Sequence, residues 1–216
     1  MAYRRTAAVQ ARLDAQAGAI VQAAVTVLSR GGYAALSMAA VAAEASLATG
    51  TVYKNFDGKA DLVRAVFRSV VAREVAVVAA AGANGTGIER VSAAVETFAG
   101  RALKNPQLAY VLLVEPVDAI VDAERLRFRQ AFADKLASAV AEGVARSELP
   151  AQDPRISAAA LVGGIAEVLV GPLAEAPHEE FVVPELVAFA IRALGVREDP
   201  GAASARLESG GSDADA

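Results

Sequence analysis

Apolar side chains recur along this chain with the spacing of an α-helix. Between residues 14 and 30, Ile20, Ala24, Val27 and Leu28 follow the i, i+4, i+7, i+8 pattern that turns one helix face toward a core. Half-buried strands would need apolar and polar residues in alternation, and such runs are rare here. The pattern therefore predicts an all-α protein of about nine helices.

Caps and helix breakers place the first four of these helices. The pair Gly31-Gly32 ends the first, because glycine adopts the left-handed conformation at a helix end at low cost. Ser37 suits the N-cap of a short helix over Met38–Glu44. A second short helix follows over Thr49–Asn55, and a long helix runs from Lys59 to about Ala81.

The second half of the chain carries five more predicted helices. Thr86 and Glu89 match a capping box, in which two side chains reciprocally satisfy free backbone donors of the first turn. The later helices begin at Asn105-Pro106, near Asp122, at Asp153-Pro154 and after Pro184. The predicted organisation is an N-terminal unit over 1–60, a linking helix over about 59–81, a C-terminal bundle over 82–197, and a Gly-, Ser-, Ala- and Asp-rich disordered tail over 198–216.

The composition excludes several kinds of site. The chain has 216 residues, no cysteine and one histidine, His178, which leaves no disulfide, thiolate site or histidine cluster. We therefore expect neither a metal nor a cofactor. Charge-free stretches are shorter than the ~18 residues that span a bilayer, and no signal peptide is visible. The expectation is a cytoplasmic protein without a membrane partner.

Charge is distributed unevenly. Residues 1–73 contain nine lysines and arginines and four acidic residues, a net charge of +5. Because the whole chain carries −4, the remaining residues carry −9. A basic end on an acidic body favours contact with a polyanion such as DNA, although solvated helix faces would give the same count.

Two short helices joined by a tight turn on a basic unit are what a helix-turn-helix requires. The helix over Met38–Glu44 would be the supporting helix, and the helix over Thr49–Asn55 would be the reader that contacts the DNA bases. The reader begins with small and polar residues, so its end can approach base edges and donate hydrogen bonds to phosphates or bases. Helical hairpins are also common in protein cores, and the spacing alone is compatible with both interpretations.

Several short motifs resemble the N-terminal domain of the TetR family of transcriptional regulators. They are Gly32-Tyr33, Leu36-Ser37-Met38, Val41-Ala42, Gly50-Thr51-Val52-Tyr53, Asn55-Phe56 and Lys59-Ala60-Asp61-Leu62. The rest of the chain resembles the family only in helix number and length. The resemblance implies a homodimeric repressor that binds operator DNA through its N-terminal domains. It also implies release by a small-molecule effector in the C-terminal domain, with the last two long helices packing against those of a partner.

The resemblance assigns DNA-contacting roles to individual residues. Tyr53 and Lys59 take positions at which the family contacts backbone phosphate, and Arg4 and Arg5 form either an arm on the duplex or a solvated tail. The predicted DNA contacts are Ser37, Thr49, Thr51, Tyr53, Lys54 and Lys59.

The turn before the reader departs from the family pattern. Ser46 replaces a glycine of the turn, and Ala48 has no side-chain oxygen with which to cap the reading helix. Thr49 would cap the helix instead if the helix began one residue later, so the register of the base contacts stays open.

The helix over 155–171 is apolar nearly all round, whereas burial against one neighbour needs only a single stripe. A symmetric partner is the commonest cover for the extra face, and burial inside the monomer's own bundle is the alternative. The predicted dimer contacts are Leu161, Ile165, Val168, Leu169, Val187 and Ile191.

The alanine-rich bundle from about residue 88 to 144 contains few large side chains, which favours an internal cavity. We expect a mostly apolar ligand, because no lysine or arginine cluster marks the assigned inward faces. The candidate ligand contacts, whose aromatic members could equally be plain core, are Phe98, Tyr110, Glu115, Phe128 and Phe132.

Two other functional classes compete with a DNA-binding regulator. An all-helical enzyme would need a metal-ligand set, a phosphate-binding loop or a nucleophile–base pair, and the sequence shows none of these. A helical protein-interaction module without a DNA role is the third hypothesis. The leading prediction is a regulator and not an enzyme.

Overall fold

The computed structural model describes residues 7–115, 119–174 and 179–196, which form nine α-helices and no strand. The all-α prediction is therefore confirmed. The helices are α1 Ala7–Ala35, α2 Met38–Glu44, α3 Thr49–Asn55, α4 Lys59–Ala81, α5 Gly87–Lys104, α6 Pro106–Leu113, α7 Ala119–Ala145, α8 Pro154–Ala174 and α9 Glu179–Ala193. Arg4, Arg5, Pro116, His178 and the predicted tail lie outside the described residues.

Two predicted helix caps are present. The Ser37 hydroxyl accepts a hydrogen bond from the backbone N–H of Ala40 at 3.1 Å and caps α2. At the start of α5, the Glu89 N–H donates to the Thr86 hydroxyl at 3.2 Å, and the Thr86 N–H donates to the Glu89 carboxylate at 2.8 Å. Both caps satisfy donors that the first turn of a helix leaves free.

Two helix ends differ from the prediction. Gly32 does leave the helical conformation, with φ 65° and ψ −167°, but a further turn continues α1 to Ala35. The last helix begins at Glu179, and Pro184 lies inside it; Pro172 likewise lies inside α8. Each proline removes one backbone donor from its helix, and packing of α8 and α9 offsets that local loss.

The helices enclose two apolar cores. The first combines α1, α2, α3 and the first half of α4, where Leu62, Val66 and Phe67 are buried. The second is formed by α5, α7, α8 and α9, and α4 reaches it at Val78. The linking helix α4 therefore belongs to both cores; the domain limits at 60 and 82 remain a prediction.

Helix α6 also joins the two cores. Leu108 and Val111 are buried in the first core, and Ala109 is buried in the second. Arg125 of α7 holds the C-terminal end of this helix, since its guanidinium donates to the carbonyl oxygens of Val111 at 2.7 Å, Leu112 at 3.0 Å and Glu115. These include orphan carbonyls that a helix end leaves without an intrahelical donor.

The turn between α2 and α3 forces Ser46 into the left-handed region, with φ 55°. The Ser46 N–H donates to Ala43 at 3.1 Å and the Leu47 N–H to Ala42 at 2.9 Å, which is the hydrogen-bond pattern of a Schellman motif. Glycine is usual at this position because it has no Cβ to clash.

We expect Ser46→Gly to raise the free energy of unfolding by about 0.5–1 kcal/mol, since relief of left-handed strain exceeds the entropy cost of glycine. Chemical denaturation followed by circular dichroism measures this change. Ala45→Gly is the matched control, because Ala45 has φ −78° and gains nothing from glycine. Equal effects of the two substitutions would contradict a strained Ser46.

Candidate nucleic-acid interface and internal cavity

Helix α3 presents a contiguous polar face to solvent. Val52 is fully buried, whereas Thr49, Gly50, Tyr53 and Lys54 are exposed. Thr49 and Tyr53 are four residues apart, as are Gly50 and Lys54, so all four lie on neighbouring rows of one helix face. This face has the size and chemistry that insertion into a major groove requires.

The opposite side of α3 is anchored to the first core. Phe56 follows the helix and is buried, and the Asn55 amide donates to the Thr51 carbonyl at 2.9 Å and to Gln16 of α1 at 3.4 Å. Thr51 is half-buried on this flank. Among the predicted reader residues, Thr51 is therefore less accessible than Thr49, Tyr53 and Lys54.

The structure also settles how α3 begins. Ala48 occupies the N-cap position without a side-chain hydrogen bond, and Thr49 is the first helical residue. The alternative in which Thr49 caps a later-starting helix is therefore wrong. Backbone geometry suffices here, because the Thr51 N–H already donates to the Ala48 carbonyl at 2.8 Å.

Helix α2 lies beside the reader, with Ser37 exposed at its N-cap. Arg30 of α1 and Glu44 of α2 form an ion pair at 2.9 Å that links the two helices at the surface. An exposed pair of this kind adds at most about 1 kcal/mol, so apolar packing, and not this pair, holds α2 in place.

Lys59 lies in a different setting from the predicted phosphate contact. Its half-buried ammonium donates to the Tyr33 carbonyl at 3.0 Å and sits 3.7 Å from the centroid of the Tyr33 ring. Burial lowers the pKa of Lys59, while the nearby Glu115 carboxylate opposes that shift. The residue thus joins the end of α1 to the start of α4.

Glu115 belongs to the same junction. Its carboxylate accepts a hydrogen bond from the Tyr33 N–H at 3.4 Å, so it faces α1. Tyr110 is half-buried against the second core. Neither residue lines the internal cavity described next, in contrast to their predicted role as ligand contacts.

A cavity of about 230 Å³ opens between α4, α5, α6 and α7. An apolar cavity of about 150 Å³ already holds benzene, so this one can accept a larger molecule. Phe98 and Phe128 line it as predicted residues, and Phe132 packs behind them with its ring 4.7 Å from that of Phe98. The other apolar lining residues are Phe67, Val70, Val71, Ala102, Leu108, Ala109, Leu112 and Leu113.

Charged side chains also line the cavity, and no pattern in the sequence predicted them there. They are Arg73 and Glu74 of α4 and Arg101 and Lys104 of α5. The Arg101 guanidinium donates to both carboxylate oxygens of Glu74, at 2.5 and 2.8 Å. Hydrogen bonding by Arg101 lowers the pKa of Glu74.

The predicted dimer contacts divide into three groups. Leu161, Ile165 and Leu169 are buried within the protomer's own bundle, because this stripe of α8 faces inward. Val187 and Ile191 are half-buried, and Val168 is 50% exposed. Leu161, Ile165 and Leu169 were predicted to contact a partner. Because α8 is apolar nearly all round, its sequence does not indicate which face turns inward.

A set of large apolar side chains remains uncovered on α8 and α9: Ile156, Val168, Phe181 and Phe189. We call this set the α8–α9 apolar face. By length and composition alone, α8 is the one described helix that could cross a membrane, and a core helix of a soluble protein passes the same criteria.

The described residues contain no group of three or more histidine, cysteine or acidic side chains arranged to hold a metal ion.

Residues 20–66 match the family model described as "Bacterial regulatory proteins, tetR family". No curated protein matches the chain. Solved structures share its fold. The fatty acid degradation regulator FadR from Bacillus halodurans is 18% identical, with a TM-score of 0.73 over 91% of this chain and 100% of that one.

Two further solved structures are similar. A TetR transcription regulator from Haloarcula marismortui is 18% identical, with a TM-score of 0.75 over 84% of this chain and 97% of that one. FadR from Bacillus subtilis, in complex with stearoyl-CoA, is 20% identical, with a TM-score of 0.67 over 82% of this chain and 95% of that one. The family resemblance is confirmed: this chain carries the DNA-binding domain of the TetR family of transcriptional regulators on an all-helical fold shared with members of that family.

Proposed function

We propose that this protein is a homodimeric transcriptional repressor that leaves its operator when a small molecule fills the cavity. The observation that carries the proposal is the position of α6. Leu108 of this helix lines the cavity and is also buried in the core of the DNA-binding domain. A ligand that displaces α6 therefore acts on both units at once.

Polar contacts extend this connection to α1 and α4. The Asn105 amide, just before α6, donates to the Ser29 hydroxyl at 3.2 Å, and Glu115, just after it, accepts from the Tyr33 N–H. Tyr33 in turn receives the Lys59 ammonium at the start of α4. Movement of α6 would thus reorient both helices that carry the helix-turn-helix.

Release follows if the ligand prefers an arrangement that does not fit the operator. A dimer reads two half-sites at a fixed separation, so a changed distance between the two readers weakens binding. The loss of DNA affinity equals the ligand's preference between the two arrangements. The complex of Bacillus subtilis FadR with stearoyl-CoA supports a ligand-binding role for this fold.

The α8–α9 apolar face supports the homodimer. Its large side chains would cost free energy in water, at roughly 25 cal/mol per Å² of apolar surface. A Cβ added at Gly163 would meet nothing within 4 Å, so a partner helix can approach α8 closely there. A dimer accounts for the apolar surface of α8 in a cytoplasmic regulator. The proposed release from the operator requires no catalytic step.

We expect Lys54→Met and Lys59→Met to affect DNA binding differently. The operator is first identified by sequencing fragments that the purified protein retains. Lys54 is exposed on α3, so its loss should reduce the slope of log affinity against log salt by about one unit. Lys59 is engaged with Tyr33, so Lys59→Met should lower stability and leave the slope unchanged. A reduced slope for Lys59→Met together with an unchanged slope for Lys54→Met would contradict this interface.

Val168→Arg should break the dimer and with it operator binding. Dimerisation would bury the arginine at the α8–α9 apolar face without a counter-charge, which is costly. Sedimentation velocity measures the oligomeric state, and a gel shift measures DNA binding. Leu126→Arg is the matched control, since Leu126 is 67% exposed on α7. A wild-type monomer at micromolar concentration, or a dimer that survives Val168→Arg, would overturn the assignment.

A further inference from the structure

The cavity combines an apolar interior with a positively charged side. Its lining includes three cationic side chains, Arg73, Arg101 and Lys104, and one carboxylate, Glu74. The charged lining therefore has an excess of two positive charges. The remaining walls are mainly phenylalanine, leucine, valine and alanine. A ligand that matches both parts needs an apolar body and an anionic end.

We propose that the cavity binds an acidic amphiphile. Its apolar chain fills the interior, and its anionic group replaces Glu74 as the partner of the Arg101 guanidinium. This inference rests on the proposed function, because it names the chemical class of the effector. It replaces the expectation of a mostly apolar ligand, which was based on inward faces that did not include Arg73, Arg101 or Lys104.

The geometry of Arg101 fits such an exchange. Its guanidinium makes two parallel hydrogen bonds to Glu74, and a carboxylate or phosphate of a ligand can form the same fork. The Arg101 side chain is 39% exposed, so a head group can reach it from the opening. Lys104 is exposed and makes no ion pair with any residue that the structure describes. The site thus offers more positive charge than Glu74 neutralises.

The exchange would also act on the linking helix. Glu74 lies on α4 and Arg101 on α5, so their ion pair ties the linking helix to the C-terminal bundle. Hydrogen bonding by Arg101 lowers the pKa of the Glu74 carboxyl further below neutral pH, so the pair is ionic at pH 7. An anion bound to Arg101 would leave Glu74 without its main partner and loosen α4 from α5.

Isothermal titration of the full-length protein with three ten-carbon probes tests the proposal: decanoate, decanol and decylammonium, each below its micelle concentration. Decanoate should bind at least tenfold more tightly than decanol, and decylammonium should bind most weakly because the lining repels a cation. Equal affinities of decanoate and decanol would overturn the proposal.

Two substitutions assign the preference to the ion pair. Arg101→Met should remove the preference for decanoate while decanol affinity stays within twofold, and Glu74→Gln should strengthen decanoate binding severalfold. Arg146→Met is the matched control, because Arg146 pairs with Glu142 and Glu148 away from the cavity. Retained preference in a folded Arg101→Met variant would contradict the role of Arg101, and circular dichroism verifies folding.

Further probes separate the source of the anion from the regulatory proposal. Decyl phosphate and the coenzyme A thioester of decanoate, compared with decanoate, show which anionic group binds best. A gel shift with the operator is then run with the tightest probe. Tight anion binding with unchanged DNA affinity supports the ligand class and contradicts ligand-controlled release. Release from the operator by a neutral compound, with no binding of the anionic probes, supports ligand-controlled release and contradicts the ligand class.

Discussion

The packing of α6 between two cores is the constraint on which the rest of the structure depends. A helix of eight residues, Pro106–Leu113, is too short to be stable in water by itself. It is held by burial of Leu108 and Val111 in the first core, by Ala109 in the second, and by Arg125 at its C-terminal carbonyls. The same helix forms part of the cavity wall, so a ligand bound as proposed would contact the helix that both cores share.

The cores and the contacts between them differ in character. Each core is built from buried aliphatic and aromatic side chains, which pack as densely as organic crystals and deform little. Polar contacts also join the two units, among them Asn105 with Ser29, Glu115 with Tyr33, and Arg101 with Glu74. A single hydrogen bond or partly exposed ion pair contributes on the order of 1 kcal/mol, and the two-bond fork between Arg101 and Glu74 is the strongest of the three contacts. These contacts can be lost at a small cost, which the proposed ligand would offset. A shift of α6 would also repack Leu108, Val111 and Ala109 where the two cores meet.

Local features of the sequence predicted the helix-turn-helix, and non-local pairings escaped it. The bounds of α2, α3 and α4 follow from Ser37, the turn at Ser46 and Gly58, which act within a few residues. The role of Lys59 depends on Tyr33, and that of Arg101 on Glu74 in another helix, so neither can be derived from spacing along the chain. In α8, apolar residues on every side concealed that Leu161 faces inward and Val168 outward.

Ligand control of the distance between the two readers is the central claim, and spin-label distance measurement in the dimer tests it most directly. The chain has no cysteine, so Ala43→Cys on the exposed side of α2 gives one label per protomer. We expect decanoate, at a concentration shown by titration to saturate the cavity, to shift the label-to-label distance by several ångströms. The shift should be smaller in a dimeric Arg101→Met variant at that concentration, because decanoate then binds without the ion pair. An unchanged distance in the ligand-saturated wild-type background would contradict the account.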